Sequence, residues 1–391
     1  MIEFEKETEN TPVVSIKVVG VGGAGGNTVN SMIDGGYEGI EFIVANTDAQ
    51  ALMLSRAAER IQIGVKSTKG LGTGANPDIG KRAAEEDLDK ILEVIGDAEI
   101  VFLTAGMGGG TGSGALPVIA RALKEKGILT IAIITKPFLF EGKRRGNVAL
   151  GAVEQVKQSV DTLIIIPNQR LLDVVDEHMS MIDAFSMINN VLAQSVRGIS
   201  EIITKPGHIN VDYADVRTIM KDRGIAVMGT GRASGVDRAR VATMQAITSP
   251  LLENMNIEGA HGVLFNITGG QNLSLHEINH AASIIYEQAH EDANIILGSV
   301  IDDRLSDEVS VTIIATGFEK TKEVHGALPK VTLDKTSVYH TVPVTSTKSE
   351  VLSAHSAQGA QEIVQERKED KAEDFDVPTF LRKKVEEEQG V

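Results

Sequence analysis

The sequence predicts an α/β fold in which a doubly wound, mostly parallel sheet precedes a long central helix and a smaller α+β domain. The first observation is a series of short Val- and Ile-rich runs, predicted as strands at 13–19, 40–45, 100–104, 128–135 and 162–166. Helical spacing falls between them, at 77–95, 115–126 and 147–160. Strands that are apolar on both faces and alternate with helices are typical of a parallel sheet covered on both sides.

Two further observations extend this fold towards the C-terminus. Residues 181–204 keep helical spacing without an internal proline or a glycine pair, which predicts one helix joining two domains. Beyond it, strands are predicted at 224–230, 262–268, 295–301 and 308–316, with helices near 236–249 and 274–290. Residues 321–371 are rich in Thr, Ser, Val, Lys and Glu without a sustained period, so we predict that they are disordered.

These segments predict six divisions of the chain. A flexible extension at 1–12 comes before a first domain at 13–180, the central helix at 181–204 and a C-terminal domain at 205–318. A disordered linker at 319–372 and a terminal peptide at 373–391 are predicted after them. The terminal peptide concentrates apolar side chains within a charged tail, which favours docking of a partner over a purely solvated tail. These side chains are Phe375, Val377, Phe380 and Leu381.

Composition narrows the classes of function. The 391 residues carry a formal net charge of −16, contain no Cys or Trp, and include only 4% aromatic residues. The acidic balance argues against coating nucleic acid, and the absence of thiols excludes disulfides and thiolate metal sites. The acidic N-terminus resembles no signal peptide, and no apolar run reaches the length needed to cross a bilayer. We therefore expect a soluble cytoplasmic protein without direct membrane insertion.

A glycine-rich loop at 108–114 is the most informative motif. Five of its seven residues are Gly, and it lies between the apolar run at 100–103 and an apolar-spaced helix beginning near 115. Bare backbone N–H groups and the positive end of a helix together make an anion site. Because side chains are missing there, a polyphosphate has room to approach the backbone.

A second glycine cluster at 20–27 leaves two interpretations open. Gly20, Gly22 and Gly25 satisfy the dinucleotide fingerprint GxGxxG, and Glu41 lies near the position of a ribose-binding acid, which favours an NAD- or FAD-dependent oxidoreductase. The richer loop at 108–114 counts against that interpretation, because two glycine loops on neighbouring strands suggest phosphates held from two sides. The P-loop motif GxxxxGK(S/T) does not occur, which excludes a P-loop NTPase.

Two polar motifs each have a structural alternative. His276, Glu277 and His280 form the HExxH pattern of zinc proteases, but a suitably spaced third ligand is missing, so a solvated helix face is the better explanation. Asp212 and Asp215 are three residues apart. At a helix start they either orient a water molecule or cation together, or cap free backbone N–H groups.

Several motifs together resemble the tubulin/FtsZ family of GTPases, and they narrow the resemblance to bacterial FtsZ. They are the segments 20–27, 46–52, 69–77, 108–114 and 135–138, and the segment 376–382 resembles the peptide with which FtsZ binds division partners. The resemblance runs from about Lys17 to Phe318. It implies a GTPase that polymerises head to tail into filaments and scaffolds the division ring at mid-cell.

The resemblance also implies cofactors and partners. GTP and GDP are the expected nucleotides, with Mg²⁺ carried by the nucleotide rather than by protein ligands. Further copies of the chain are expected partners, together with proteins that bind the terminal peptide, such as regulators and membrane tethers of the FtsA or ZipA type. Nucleic acid is not expected to bind. The alternative, from a different functional class, is a structural scaffold that binds GTP but turns it over negligibly.

Matching positions carry the nucleotide-binding residues over from the family. Glu141 and Arg145 are expected beside the ribose and phosphates, and Phe185 and Asn189 against guanine. The expected phosphate-binding residues are Gly22, Gly23, Ala24, Gly25, Gly26, Asn27, Gly108, Gly109, Gly110, Thr111, Gly112 and Ser113.

The resemblance assigns catalysis to a second segment. Asn210, Asp212 and Asp215 are expected to enter the nucleotide site of the next subunit, where the two aspartates polarise the attacking water, so the resemblance favours catalysis over capping. Gln169 stands where many members of the family have Asp, and Asn189 stands where several have Asp and others have Asn. A neutral Asn offers one acceptor oxygen and one donor group, which predicts weaker discrimination against adenine.

Overall fold

The computed structural model describes residues 14–172, 178–205, 207–209, 211–252 and 257–318. The extension at 1–12, the linker at 319–372 and the terminal peptide at 373–391 lie outside these residues, and so does Asn210. The disorder and partner docking expected of those segments therefore stay predictions.

The first half of the described chain alternates strands and helices. Its strands are β1 (Ile16–Val21), β2 (Glu41–Asn46), β3 (Glu59–Gln62), β4 (Ile100–Gly106), β5 (Leu129–Lys136) and β6 (Thr162–Pro167). Its helices are α1 (Gly22–Asp34), α2 (Ala49–Met53), α3 (Val65–Thr68), α4 (Pro77–Glu86), α5 (Leu88–Ile95), α6 (Thr111–Glu125), α7 (Lys143–Ser159) and α8 (Asn168–Leu171).

The second half begins with the long helix α9 (Met181–Thr204), which spans the residues predicted for it. Its strands are β7 (Gly207–Ile209), β8 (Gly224–Ser234), β9 (Gly262–Gly269), β10 (Asn294–Ile301) and β11 (Glu308–Thr316). Its other helices are α10 (Tyr213–Met220), α11 (Arg238–Ile247) and α12 (Leu275–Gln288).

Within the described residues the strands form one sheet, in the order β3-β2-β1-β4-β5-β6-β8-β11-β9-β10-β7. Neighbouring strands from β3 to β6 are all parallel, and β8 continues parallel to β6. Beyond β8 the sheet is mixed, because β11 runs antiparallel to both β8 and β9. The predicted fold class is confirmed: a doubly wound parallel sheet is followed by a smaller α+β part.

The sequence analysis missed the strands at the two edges of the sheet. β3 has the sequence ERIQ, in which only one residue is buried, and β7 has three residues. Edge strands are often short and polar, since they pair on one side only and must resist pairing with other chains. Neither strand therefore carries the Val- and Ile-rich signal that identified the central strands.

The prediction of one helix at 77–95 is wrong. The segment forms α4 and α5, which are separated at Asp87. The Asp87 carboxylate accepts a hydrogen bond from the backbone N–H of Gly64 at 2.6 Å, and its own backbone leaves the helical region with φ −117° and ψ 20°. A tertiary contact to a neighbouring loop thus interrupts a segment whose local pattern is helical.

The central helix α9 packs against elements of both halves of the structure. Its buried apolar side chains, among them Leu192 and Val196, belong to one hydrophobic cluster that reaches from Phe102 in β4 to Leu264 in β9 and Ile314 in β11. Burial on this scale is the main source of stability in a domain. The two halves therefore share a core along this helix.

Ion pairs add a polar connection between α9 and the second half. Arg197 of α9 lies 3.0 Å from the Asp302 carboxylate, and Arg304 lies 2.8 Å from the same group. The Asp302 side chain is only 6% exposed. The hydrogen bond from the Arg304 guanidinium holds the pKa of Asp302 well below its usual range. Asp302 therefore keeps its charge, and the pairing, at any pH near neutrality.

A buried arginine explains the HExxH pattern. The Arg238 side chain is 5% exposed, and its Nε lies 2.7 Å from the Glu277 carboxylate while Nη1 lies 3.1 Å from Asp307. Glu277 also forms a capping box with Ser274 at the start of α12. Among the described residues, no group of three or more His, Cys, Asp or Glu side chains is arranged to hold a metal ion. Both histidines of the motif are exposed, and Glu277 is engaged by Arg238 and Ser274, so these contacts agree with the helix-face interpretation.

We predict that Arg238→Ala lowers the free energy of unfolding by about 3 kcal/mol, because it leaves the Glu277 carboxylate partly buried without its partner. Because the hydrogen bond from Arg238 lowers the pKa of Glu277, the pair stabilises the fold at neutral pH. That contribution is lost as the pH falls below about 4. Urea unfolding at several pH values measures both effects.

The matched control is Arg240→Ala on the same helix. Arg240 is 46% exposed and lies 3.8 Å from Asp237, so its removal should change the free energy of unfolding by no more than about 0.5 kcal/mol. Equal destabilisation by the two substitutions would contradict a special role for Arg238.

Candidate functional site

The two glycine-rich loops lie against each other at the carboxyl ends of the neighbouring strands β1 and β4. A Cβ at Gly25 would lie 2.4 Å from the Thr104 carbonyl oxygen, and a Cβ at Gly22 would lie 3.1 Å from the Gly112 nitrogen. Gly22 also has a φ of +73°, which strains any other residue. Only glycine permits this approach. The contact lies where the strand order reverses, which is where open α/β sheets bind ligands.

Two helices begin at this edge without side-chain caps. α1 follows Val21 and α6 follows Gly110, and neither preceding residue provides a side-chain hydrogen bond to the helix. In contrast, Ser180 caps α9 and Ser274 caps α12. An uncapped N-terminus offers free N–H groups and partial positive charge to an anion. The uncapped starts of α1 and α6 are therefore suited to hold a phosphate-bearing ligand from two sides.

The loop from Gly108 is held in shape by its neighbours. Gly108 has a φ of +98°, and its N–H donates a hydrogen bond to Ser113 Oγ at 2.9 Å. A Cβ at Gly108 would lie 2.6 Å from Cγ of Arg145, whose guanidinium lies 2.9 Å from the Glu141 carboxylate. Glu141 also accepts a hydrogen bond from the backbone N–H of Phe138 at 2.9 Å. Arg145 therefore adjoins the glycine loop and is paired with Glu141, and their expected contact with the ribose and phosphates stays a prediction.

The other motifs that carried the family resemblance also reach this loop. Thr47, which follows β2, and Thr111, at the start of α6, have hydroxyl oxygens 2.7 Å apart, and both residues are buried. A Cβ at Gly110 would lie 2.1 Å from Thr73 Oγ1. The segments 46–52 and 69–77 thus pack around the start of α6. The sequence analysis did not single out Thr47, because its partner is remote in sequence.

The two residues expected to contact a base lie one turn apart on α9. The Phe185 ring meets Phe138 edge to face, with ring centroids 5.7 Å apart. The Asn189 side chain lies 3.2 Å from Thr28 Oγ1 in α1. The structure therefore packs Phe185 against the loop after β5 and Asn189 against α1.

The loop after β5 is fixed by Gln169, one of the two departures from the family pattern. Its Oε1 accepts a hydrogen bond from the backbone N–H of Leu139 at 3.1 Å. Phe138 and Phe140 stack in the same loop with ring centroids 4.8 Å apart. Gln169 thus holds the loop whose Phe138 ring contacts Phe185, which the sequence alone did not indicate.

The expected catalytic aspartates lie on α10. Asp212 is the N-cap of this helix, since its Oδ1 accepts a hydrogen bond from the backbone N–H of Asp215 at 2.9 Å. Both residues are exposed. Capping uses only one oxygen of Asp212, so the structural and the catalytic interpretations are compatible.

Two side chains that the sequence analysis missed anchor α10. The Tyr213 hydroxyl donates a hydrogen bond to the Glu99 carbonyl oxygen at 3.1 Å and accepts one from Arg217 Nη1 at 2.9 Å. Arg217 Nη2 also donates to the Gly127 carbonyl oxygen at 3.4 Å. Glu99 and Gly127 precede β4 and β5, so α10, the helix with the two aspartates, is attached at the amino ends of these strands.

The glycine loops and α10 therefore lie at opposite ends of β4. This strand has seven residues. At about 3.3 Å per residue it spans about 20 Å. The structure does not bring Asp212 and Asp215 to the glycine loops of the same chain.

Comparisons with known proteins agree with this architecture. Residues 15–176 match the model of the Tubulin/FtsZ family, GTPase domain, and residues 224–319 match that of the FtsZ family, C-terminal domain. A solved structure of an empty FtsZ dimer from M. jannaschii is 42% identical, with a TM-score of 0.75 over 78% of this chain and 88% of that chain. A mutant FtsZ from the same organism has the same identity and TM-score and is 91% covered.

A more distant structure shares the fold alone. It is CetZ2 from Haloferax volcanii, described as a GTPγS-bound protofilament, with 21% identity and a TM-score of 0.67 over 79% of this chain and 95% of that chain. The strand order, the paired glycine loops and the second α+β part define a nucleotide-binding fold of the tubulin type. With 42% identity over most of both chains, this chain belongs to the FtsZ family.

Membership of this family makes the chain a protein with a GTPase domain that binds GTP or GDP. The backbone N–H groups of the paired glycine loops and of the two uncapped helix starts are suited to the phosphates of these nucleotides. Over the part of the chain that the structure describes, no helix has the length and apolar character needed to span a membrane.

We predict that Gly109→Ala weakens GTP binding without destabilising the fold. A Cβ at Gly109 would meet no atom within 4 Å, so the added methyl group fits the free protein. It would nevertheless keep a polyphosphate from the bare backbone, which should lower GTP affinity by about tenfold or more. Fluorescent-nucleotide titration and thermal unfolding measure the two properties separately.

Gly151→Ala is the matched control, because Gly151 lies on α7 and its Cβ also would meet nothing within 4 Å. This substitution should leave GTP affinity unchanged. Equal GTP affinities of the two variants would contradict the placement of phosphates at the loop from Gly108.

Proposed function

We propose that this protein hydrolyses GTP at sites completed between adjacent subunits of a head-to-tail filament. The observation that carries the proposal is the location of Asp212 and Asp215. Their helix α10 is attached at the amino end of β4, whereas the glycine loops follow its carboxyl end. A separation of about 20 Å is far beyond hydrogen-bond reach, so these carboxylates can act only on the nucleotide of another subunit.

Each exposed aspartate has a distinct role in the proposed site. Asp215 and the free oxygen of Asp212 accept hydrogen bonds from the attacking water and orient it. The cap that Asp212 forms fixes the start of α10, and with it the direction of Asp215. Mg²⁺ carried with the nucleotide would supply positive charge at the phosphates.

The geometry also supports an open polymer. A nucleotide face at one end of the subunit and an acidic face at the other make a heterologous contact, which propagates into a filament when the rotation does not close. The segments that follow β2, β3 and β5 expose the large apolar side chains of Leu54, Leu71, Leu139 and Phe140. A subunit that covers this end of the sheet would remove them from water. An FtsZ relative of 42% identity was solved as a dimer.

The cellular role follows from the family. We propose that the filaments scaffold the division ring at mid-cell in the cytoplasm. The peptide at 373–391 would bind regulators and membrane tethers of the FtsA or ZipA type through Phe375, Val377, Phe380 and Leu381. The six divisions of the chain, from 1–12 to 373–391, are part of the same proposal.

We predict that Asp215→Asn keeps GTP affinity and lowers GTP hydrolysis by about 100-fold or more, because the amide is a poorer base of the same size. GTP titration and phosphate release measure the two effects. The specific activity of the unsubstituted protein should also rise with protein concentration, because only contacting subunits have a complete site.

Asp89→Asn on α5 is the control, since Asp89 is an exposed carboxylate without an assigned role. It should leave hydrolysis unchanged. Hydrolysis by Asp215→Asn at the unsubstituted rate would refute the shared site. Negligible turnover by the unsubstituted protein at every concentration would favour the structural scaffold instead.

A further inference from the structure

A buried threonine contacts the candidate base-binding residue Asn189. Thr28 lies in α1, one residue after the glycine loop ends at Asn27, and it is fully buried. Its Oγ1 lies 3.0 Å from the carbonyl oxygen of Ala24 and 3.2 Å from Oδ1 of Asn189, so two acceptor oxygens face one hydroxyl. The base-binding residues expected from the family did not include Thr28.

The number of available protons decides how this contact is made. A threonine hydroxyl has one proton, so it can donate to only one of its two neighbours. If it donated to Asn189, its oxygen would face the Ala24 carbonyl oxygen at 3.0 Å without a proton between them. Two oxygen atoms in that position repel each other.

Turning the Asn189 amide removes the conflict. The hydroxyl then donates to Ala24, the bond that a helical threonine commonly makes to the carbonyl four residues earlier. The Asn189 Nδ2 group donates to Thr28 Oγ1, so each short contact has its own proton. The two ends of an amide are nearly equal in size, so packing does not oppose this orientation.

We propose that Thr28 is a specificity-determining residue, which holds the Asn189 amide with Oδ1 available to the base. In this orientation Asn189 accepts hydrogen bonds from the N1–H and the exocyclic amine of guanine. The inference rests on the proposed placement of guanine against Phe185 and Asn189. Thr28 gives a neutral Asn the acceptor character that an Asp has by itself, so guanine recognition is kept despite the departure from the family pattern.

The position of Thr28 suits this role. A β-branched side chain in a helix has few rotamers, and complete burial restricts Thr28 further. Asn189 is half-buried on α9, whose neighbouring residues Ile188 and Leu192 belong to the shared core. Both partners are therefore held by rigid elements, and the orientation of the amide is the remaining freedom.

The test compares GTP with xanthosine triphosphate, in which a carbonyl oxygen replaces the exocyclic amine of guanine. An Asn189 oxygen favours GTP, whereas an Asn189 NH₂ group favours xanthosine triphosphate. We expect Thr28→Val, which keeps the shape and removes the hydroxyl, to lower the ratio of GTP affinity to xanthosine triphosphate affinity by about tenfold. Thr28→Ser keeps the hydroxyl and should keep the ratio.

A second background, Asn189→Asp, separates a loss of amide orientation from a general loss of nucleotide binding. In Asn189→Asp both ends of the side chain are oxygens, so there is no orientation left to fix. Adding Thr28→Val to Asn189→Asp should therefore leave the ratio unchanged, which is a double-mutant cycle for this pair. A fall in the ratio as large as in the Asn189 background would overturn the proposal.

An unchanged ratio in Thr28→Val, with GTP still bound, would also overturn the role of Thr28 and leave the proposed function standing. Failure of the unsubstituted protein to bind GTP would instead contradict the proposed function itself. Circular dichroism of each variant confirms that the compared proteins are folded.

Discussion

The close contact between the loops after β1 and β4 is the constraint on which the nucleotide site depends. Parallel neighbours in a sheet lie about 5 Å apart, so the two loops must share the same small space. Gly22 and Gly25 allow this because they present no side chain to Gly112 and Thr104. As a result, the uncapped starts of α1 and α6 converge on one point, and a phosphate group can meet both.

The strand β4 links this site to the second functional element. One end of the strand leads into the glycine loop from Gly108, and the backbone before the other end holds Tyr213 through the Glu99 carbonyl. The direction of α10 is thus set by the same sheet that positions the nucleotide. Because the strand keeps the two apart, a subunit presents complementary halves of a site at opposite ends. Assembly and hydrolysis would then be coupled through the contact itself.

Much of this architecture could be predicted from local sequence. The central strands are continuous Val and Ile runs, and the glycine loops have a spacing that marks them as phosphate sites. The start of α6 was predicted too late, near 115, because glycines suggest a loop, although here Thr111 and Gly112 form the first turn of the helix. Local patterns indicate a phosphate site here, but they do not show at which residue the loop ends and the helix begins.

Contacts between remote segments could not be predicted in this way. Tyr213 and Arg217 are spaced as neighbours on a helix, but their partners Glu99 and Gly127 are about 90 or more residues away. Thr28 has the same difficulty, because its partner Asn189 is 161 residues away. Such residues become visible only when the fold places them together, and they are the ones that position the expected site residues.

The most direct test of the shared site is a mixing experiment with two variants, at a GTP concentration that occupies the unsubstituted site but leaves Gly109→Ala largely empty. Asp215→Asn then has an intact nucleotide-binding end and defective catalytic aspartates, whereas Gly109→Ala has intact aspartates and a defective nucleotide-binding end. If sites form between subunits at a heterologous contact, an equimolar mixture should regain about a quarter of the hydrolysis rate of the unsubstituted protein, because that share of random contacts pairs two intact faces. A mixture no more active than the separate variants would contradict a site shared between subunits.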